Sequence, residues 1–145
     1  MKRLSAILVI ILSLLSCTKE DQALSGTKWT FEFNSSPYIM EFTSDKDVRV
    51  YEADSNYNYK SSLIEGTYTY NNNKITFGEN FGVARSAMII LYYRYYFKNA
   101  TINNDTMKVT SSEEKIAIPI VDGEVQEPEI EYLGEQVFTL IKLSK

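Results

Sequence analysis

From Trp29 onward, apolar and aromatic side chains recur at every second position, and each short run is cut by Asn, Asp, Gly or Pro. A period of two puts successive side chains on opposite faces of an extended chain, so this pattern dictates strands. Trp29, Phe31 and Phe33 share one face against Thr30 and Glu32; Tyr38, Met40 and Phe42 oppose Ile39, Glu41 and Thr43. Val48 and Val50 alternate with Arg49 and Tyr51, and Gly66, Tyr68 and Tyr70 with Glu65, Thr67 and Thr69. Met107 and Val109 follow, and Phe138, Leu140 and Lys142 close the set opposite Val137, Thr139, Ile141 and Leu143. Eleven tyrosines, seven phenylalanines and one tryptophan supply the residues that suit a pleated, half-buried surface.

The punctuation between runs has its own chemistry. Segments 34–37, 44–47, 71–73 and 103–105 are rich in Asn, Asp, Ser and Pro, residues that tolerate or preset turn angles. Asp45 and Asp47 therefore read as turn formers rather than as a metal pair or a catalytic dyad. Gly66 is expected to mark a bulge or bend. Residues 78–85 carry Gly78 and Gly82 and little pattern, and read as a loop, a candidate lid, over one barrel mouth. Residues 87–99 read as the longest strand, with Met88, Ile90, Tyr92, Arg94 and Tyr96 opposite Ile89, Leu91, Tyr93, Tyr95 and Phe97. Both of its faces are apolar, which requires either a covering neighbour or a bulge that changes the phase.

Residues 111–135 change character. They hold seven glutamates, two prolines and a central Asp122-Gly123, a strong hairpin signal, with Ile116, Ile118 and Ile120 on one arm and Ile130 and Tyr132 on the other. Pro119 and Pro128 remove ladder donors and so confine this segment to an edge. It reads as a projecting acidic hairpin, solvated and dispensable to the core, or as a partner-binding finger. Counting the runs gives about eight antiparallel strands without a helix: an all-β meander closed into a barrel, with a β-sandwich as the alternative.

Residues 1–16 are excluded from that count. Lys2 and Arg3 precede an apolar run ending Leu14, Leu15, Ser16, and Cys17 follows as the only cysteine of the chain. An apolar run of about twelve residues falls short of the roughly twenty that span a bilayer, which favours a cleaved signal over a retained anchor. The sequence Leu14, Leu15, Ser16, Cys17 resembles the bacterial lipobox, which implies cleavage before Cys17 and diacylglycerol on its sulfur. Lys19, Glu20 and Asp21 resemble the export signal of surface lipoproteins in Bacteroidetes. Residues 17–25 then form a lipidated tether, 26–145 one domain, and the expected address is the outer membrane, lipid-anchored and facing the cell exterior.

Several function classes fall away on composition. The chain has no histidine, and its one cysteine is taken by the lipid, so histidine-based triads, Cys–His pairs, His or Cys zinc sites and disulfides cannot be built. No cofactor or metal is expected. Fifteen basic residues face nineteen acidic ones, and the leader removes two bases and no acid, so a nucleic acid would be repelled.

The run Leu24, Ser25, Gly26, Thr27, Lys28, Trp29, then Phe42 before Asp45, Gly66-Thr67-Tyr68 before Ile75, Asp105-Thr106-Met107 and a last strand over 138–143 resemble the lipocalin-like lipoproteins of Bacteroidetes. That resemblance implies a barrel holding a small amphipathic or apolar ligand without catalysis. Trp29, Phe31, Tyr68, Tyr70, Tyr92, Arg94 and Tyr96 are the candidate inward residues, with Arg94 to fix an anionic group. The competing reading is a protein-interaction or inhibitor module that uses the acidic hairpin or the aromatic strand; an enzyme ranks third.

Overall fold

The computed structural model describes residues 24–88 and 90–144. The leader, Cys17, the tripeptide Lys19, Glu20 and Asp21, and Ile89 lie outside the described residues. Strands β1 (Lys28–Phe33), β2 (Ser36–Phe42), β3 (Asp47–Ala53), β4 (Tyr59–Asn71) and β5 (Lys74–Phe77) form an antiparallel meander. After them come β6 (Gly82–Met88), β7 (Leu91–Asn103), β8 (Thr106–Ala117), the two-residue pieces β9 (Ile120–Val121) and β10 (Glu124–Val125), and β11 (Glu129–Lys142). Pairing of β1 with β11 and of β5 with β7 closes β1, β2, β3, β4, β5, β7, β8 and β11 into a barrel.

Turn chemistry explains the register. Asn34 and Ser35, Asn72 and Asn73, and Asp122 and Gly123 all have positive φ, the two-residue geometry whose twist matches the flanking strands. At the β2–β3 turn Ser44 donates to Asp47 Oδ2 at 2.6 Å and accepts from the Asp47 amide at 3.0 Å, so this acid locks a turn. In the next loop the Asp54 carboxylate accepts the amides of Asn56 and Asn58 at 2.8 and 2.9 Å. Among the described residues no cluster of His, Cys, Asp or Glu could hold a metal.

Inside the barrel Trp29, Met40, Phe42, Val48, Val50, Ile75, Met107, Val109 and Leu140 are almost fully buried. Trp29 sits at the floor, its Nε1 donating to Thr27 Oγ1 at 3.1 Å. Higher up, Phe31, Phe33, Tyr38, Tyr95, Phe97 and Phe138 pack mostly edge to face, with centroids 5.0 to 6.1 Å apart, the preferred geometry of ring quadrupoles. The interior at this level is filled by its own rings.

Four expectations need correction. Residues 78–85 are not a lid: only 78–81 lie between strands, Phe81 is buried in the core, and Gly82 begins β6. The strand expected over 87–99 is two strands, since β6 ends at Met88 and β7 begins at Leu91. Gly66 stays in register opposite Val48, the ladder of β3 and β4 shifting instead beyond Val50; glycine is needed there because a Cβ would strike the Phe81 ring. The 111–135 segment is not wholly solvated, because Ser111, Ser112, Glu113 and Ile116 are buried and β8 pairs with both β7 and β11. Its outer part, with β9 and β10, is exposed as expected, and Pro119 and Pro128 fall between strands.

Candidate wall cavity and barrel mouth

β5 and β6 lie end to end along one edge of β7, β5 pairing with Asn99, Ala100 and Thr101 and β6 with the stretch from Leu91 to Tyr96. Among the described residues β5 also pairs with β4, but β6 pairs only with β7. The first half of β4 and β6 therefore face each other without a hydrogen-bonded ladder between them. A cavity of about 460 Å³ opens there, lined by Ile64, Asn80, Gly82, Val83, Ala84, Arg94, Tyr95 and Tyr96. Gly82 makes the close approach to β7 possible: a Cβ at this position would collide with the Tyr95 carbonyl.

The phase of β7 decides which groups reach the cavity from which side. Tyr95 and Phe97 belong to the buried core, and Tyr93 packs against it. Strand alternation then puts Tyr92, Arg94 and Tyr96 on the outer face, contrary to their expected inward direction. A bulge at Lys98, where Phe97 opposes Ser111 and Asn99 opposes Thr110, restores the inward phase at Ala100. Arg94 and Tyr96 nevertheless meet at the cavity, reaching its rim from outside, and Arg94 Nη1 donates to Tyr96 Oη at 3.3 Å. Trp29, Phe31 and Tyr68 face inward as expected and are core, Tyr70 packs against that core, and none of the four lines the cavity.

At the mouth, on the inner face, a polar chain stands above the rings. Tyr95 Oη donates to Glu113 Oε1 at 2.6 Å, and Gln136 Nε2 donates to Oε2 of the same carboxylate at 3.0 Å. Arg85 lies over the Tyr93 ring, its Cζ 4.5 Å from the centroid, and its Nη1 donates to Asn34 Oδ1 at 3.0 Å. Its Nε is buried without a hydrogen-bond partner. Burial, reinforced by Glu113, pushes the Tyr95 phenol up to about 12. Burial does the same at Tyr68, up to about 12, with Asp45 and Asp47 adding to it.

Asn80, Gly82, Val83 and Ala84 do not stand out in the sequence because the patternless run 78–85 reads as a loop, and Glu113 does not because the charge density of 111–135 reads as solvation. The alternation of Val83 and Arg85 with Ala84 and Ser86 was the one available strand signal, and it is weak.

No family model and no curated protein matches this chain. Among solved structures, the crystal structure of a rhizavidin–biotin complex is similar to it at a TM-score of 0.40 and 14% sequence identity, over 84% of this chain and 97% of that one.

Proposed function

We propose that this chain is a lipocalin-like, envelope-anchored and non-enzymatic binding lipoprotein, which takes a small amphipathic ligand in the wall cavity between β4 and β6. The observation that carries this reading is an apolar-sided cavity of about 460 Å³ with a single guanidinium, that of Arg94, at its rim. Few convergent polar groups on an otherwise apolar concavity is the usual form of a small-molecule site. The apolar body of the ligand lies against Ile64, Val83 and Ala84, and its anionic end meets Arg94, which Tyr96 holds in place. The filled core moves the site from the barrel floor, where Trp29 and Tyr68 pack, to the wall.

Titration with a dansyl-labelled fatty acid tests the site. Saturable binding is expected, weakened about 10- to 100-fold by Arg94→Ala, the range for losing one charge-assisted hydrogen bond. No saturable binding, or equal binding by the variant, would overturn the assignment.

The pattern Leu14, Leu15, Ser16, Cys17 supports lipidation at Cys17, and Lys19, Glu20 and Asp21 support export to the bacterial cell surface. Labelling of cells with a radioactive fatty acid should mark the wild type and leave Cys17→Ala unmarked; label on both would refute the anchor.

A second reading has its own support. Met88, Ile120, Val121, Val125, Ile130 and Tyr132 are all more than half exposed near the end of the arm. Clustered apolar exposure of this kind suits a protein contact, so the arm is the candidate surface should the protein prove to act by binding another protein.

A further inference from the structure

We infer that the occupant of the wall cavity is an extended peptide segment that adds a strand to the free edge of β6. The inference rests on the reading of this cavity as the binding site, and it names the ligand class that fits the walls.

Both walls of the cavity are backbone edges. Among the described residues β6 is in a ladder with β7 alone, and the stretch of β4 before Thr67, whose carbonyl accepts from the Gly78 amide, is in a ladder with β3 alone. Unpaired edge amides and carbonyls are a template for another strand, and proteins that avoid such pairing guard the edge with lysine, proline or a bulge. β6 carries no lysine or proline, its register shift falls past Ser86, and Arg85 is its one inward-pointing charge. Its sequence is GVARSAM; its outer-face residues Ala84 and Ser86 are small, and its one charge, Arg85, is on the face shared with Val83 and Tyr93. The ladder to β7 runs from Gly82 to Ser86 without a register shift, so that edge is straight for five residues.

A small lipophile would satisfy the apolar lining and leave the edge to water. A peptide satisfies both. Its main chain pairs with β6, while alternate side chains enter the cavity at Ile64 and Val83 or point outward past Ala84 and Arg94. A segment alternating apolar with small polar residues matches these two environments. Met88, 65% exposed at the end of β6, extends the apolar contact beyond the cavity.

The test uses the full chain carrying Cys17→Ser, with a blocked seven-residue peptide of alternating valine and threonine as probe. Its partner probe is the same peptide N-methylated at every residue, which keeps the side chains and removes every main-chain donor. Binding of the first peptide should slow amide exchange in Val83 to Ala87 at least about tenfold, and the methylated peptide should bind at least about tenfold more weakly. Ser86→Lys should weaken the first peptide and spare the dansyl fatty acid, since Ser86 does not line the cavity. Equal binding of the two peptides, or binding without protection of β6, would overturn strand addition. Fatty-acid binding with no peptide binding would also overturn it and leave the cavity assignment standing; absence of both would overturn the two together.

Discussion

At the scale of single residues, the phenol of Tyr95 carries the most consequence for stability. It is buried, it donates to Glu113 at 2.6 Å, and its pKa is pushed up to about 12, as is that of Tyr68. In the unfolded chain a tyrosine titrates near 10. The native state thus keeps protons that the unfolded state releases, so the stability tied to these groups is full below about pH 10 and is lost as pH rises toward about 12. Denaturant unfolding at pH 8, 10 and 11.5 should show a nearly level stability and then a fall. Tyr95→Phe should cost about 1 to 3 kcal/mol at pH 8, because a buried carboxylate loses a donor, and should shallow the alkaline fall; an unchanged alkaline slope would contradict this account. The sequence could not reveal this role. In the run Tyr92 to Phe97 every position is aromatic or arginine, so alternation alone gives no phase, and an inward Tyr92, Arg94 and Tyr96 meets no conflict in the sequence. Packing of Phe97 against Phe31 and Phe81 settles the phase, and those are contacts over long sequence separation. Where one face was clearly polar, as with Trp29, Phe31 and Phe33 against Thr30 and Glu32, the faces were legible at once.

Strands and turns were legible to the extent that turn chemistry was local. Asn72-Asn73 and Asp122-Gly123 announce their positive φ in the residues themselves, and both hairpins form where expected. The β6–β7 hairpin has no such signal: the sequence from Met88 to Leu91 is apolar throughout and carries no turn former, which hides the break between the two strands. The acidic segment shows a different limit. Charge density reads as solvation, yet Ser111, Ser112, Glu113 and Ile116 are buried because β8 lies between β7 and β11. The dispensable part is accordingly only residues 118–128, which hold both prolines and the exposed β9 and β10. Replacing them by a short Gly/Ser turn should change unfolding free energy by no more than about 1 to 2 kcal/mol. Extending the replacement back to Glu113 should cost clearly more, since it strips Leu91 to Tyr95 and the start of β11 of their β8 partners and removes the buried Glu113 and Ile116; a product as stable as the wild type would contradict the topology described.

For the whole molecule, the closed meander follows from short strands joined by tight turns, and that much was written in the period of the sequence. How the ring closes was not. β5 supplies only four residues to the seam, too short to cover the thirteen of β4 or β7, and β6 takes up the rest of β7 without reaching β4 in a ladder. The wall cavity is the outcome of that mismatch, a property of strand lengths compared around the ring rather than of any motif. The two ends of the barrel also differ: Leu24, Trp29 and the Asn104 turn lie at the floor, while Glu113, Arg85 and the arm stand at the other end. The measurement that tests the account most directly is an amide and methyl NMR titration of the full chain, carrying Cys17→Ser, with the dansyl fatty acid. Perturbations centred on Ile64, Val83, Ala84, Arg94 and Tyr96, with the Trp29 indole N–H signal unshifted, are the predicted result. Perturbations centred on Ile120, Val125 and Tyr132 at the arm, or on Trp29 and Tyr68 in the floor, would contradict it.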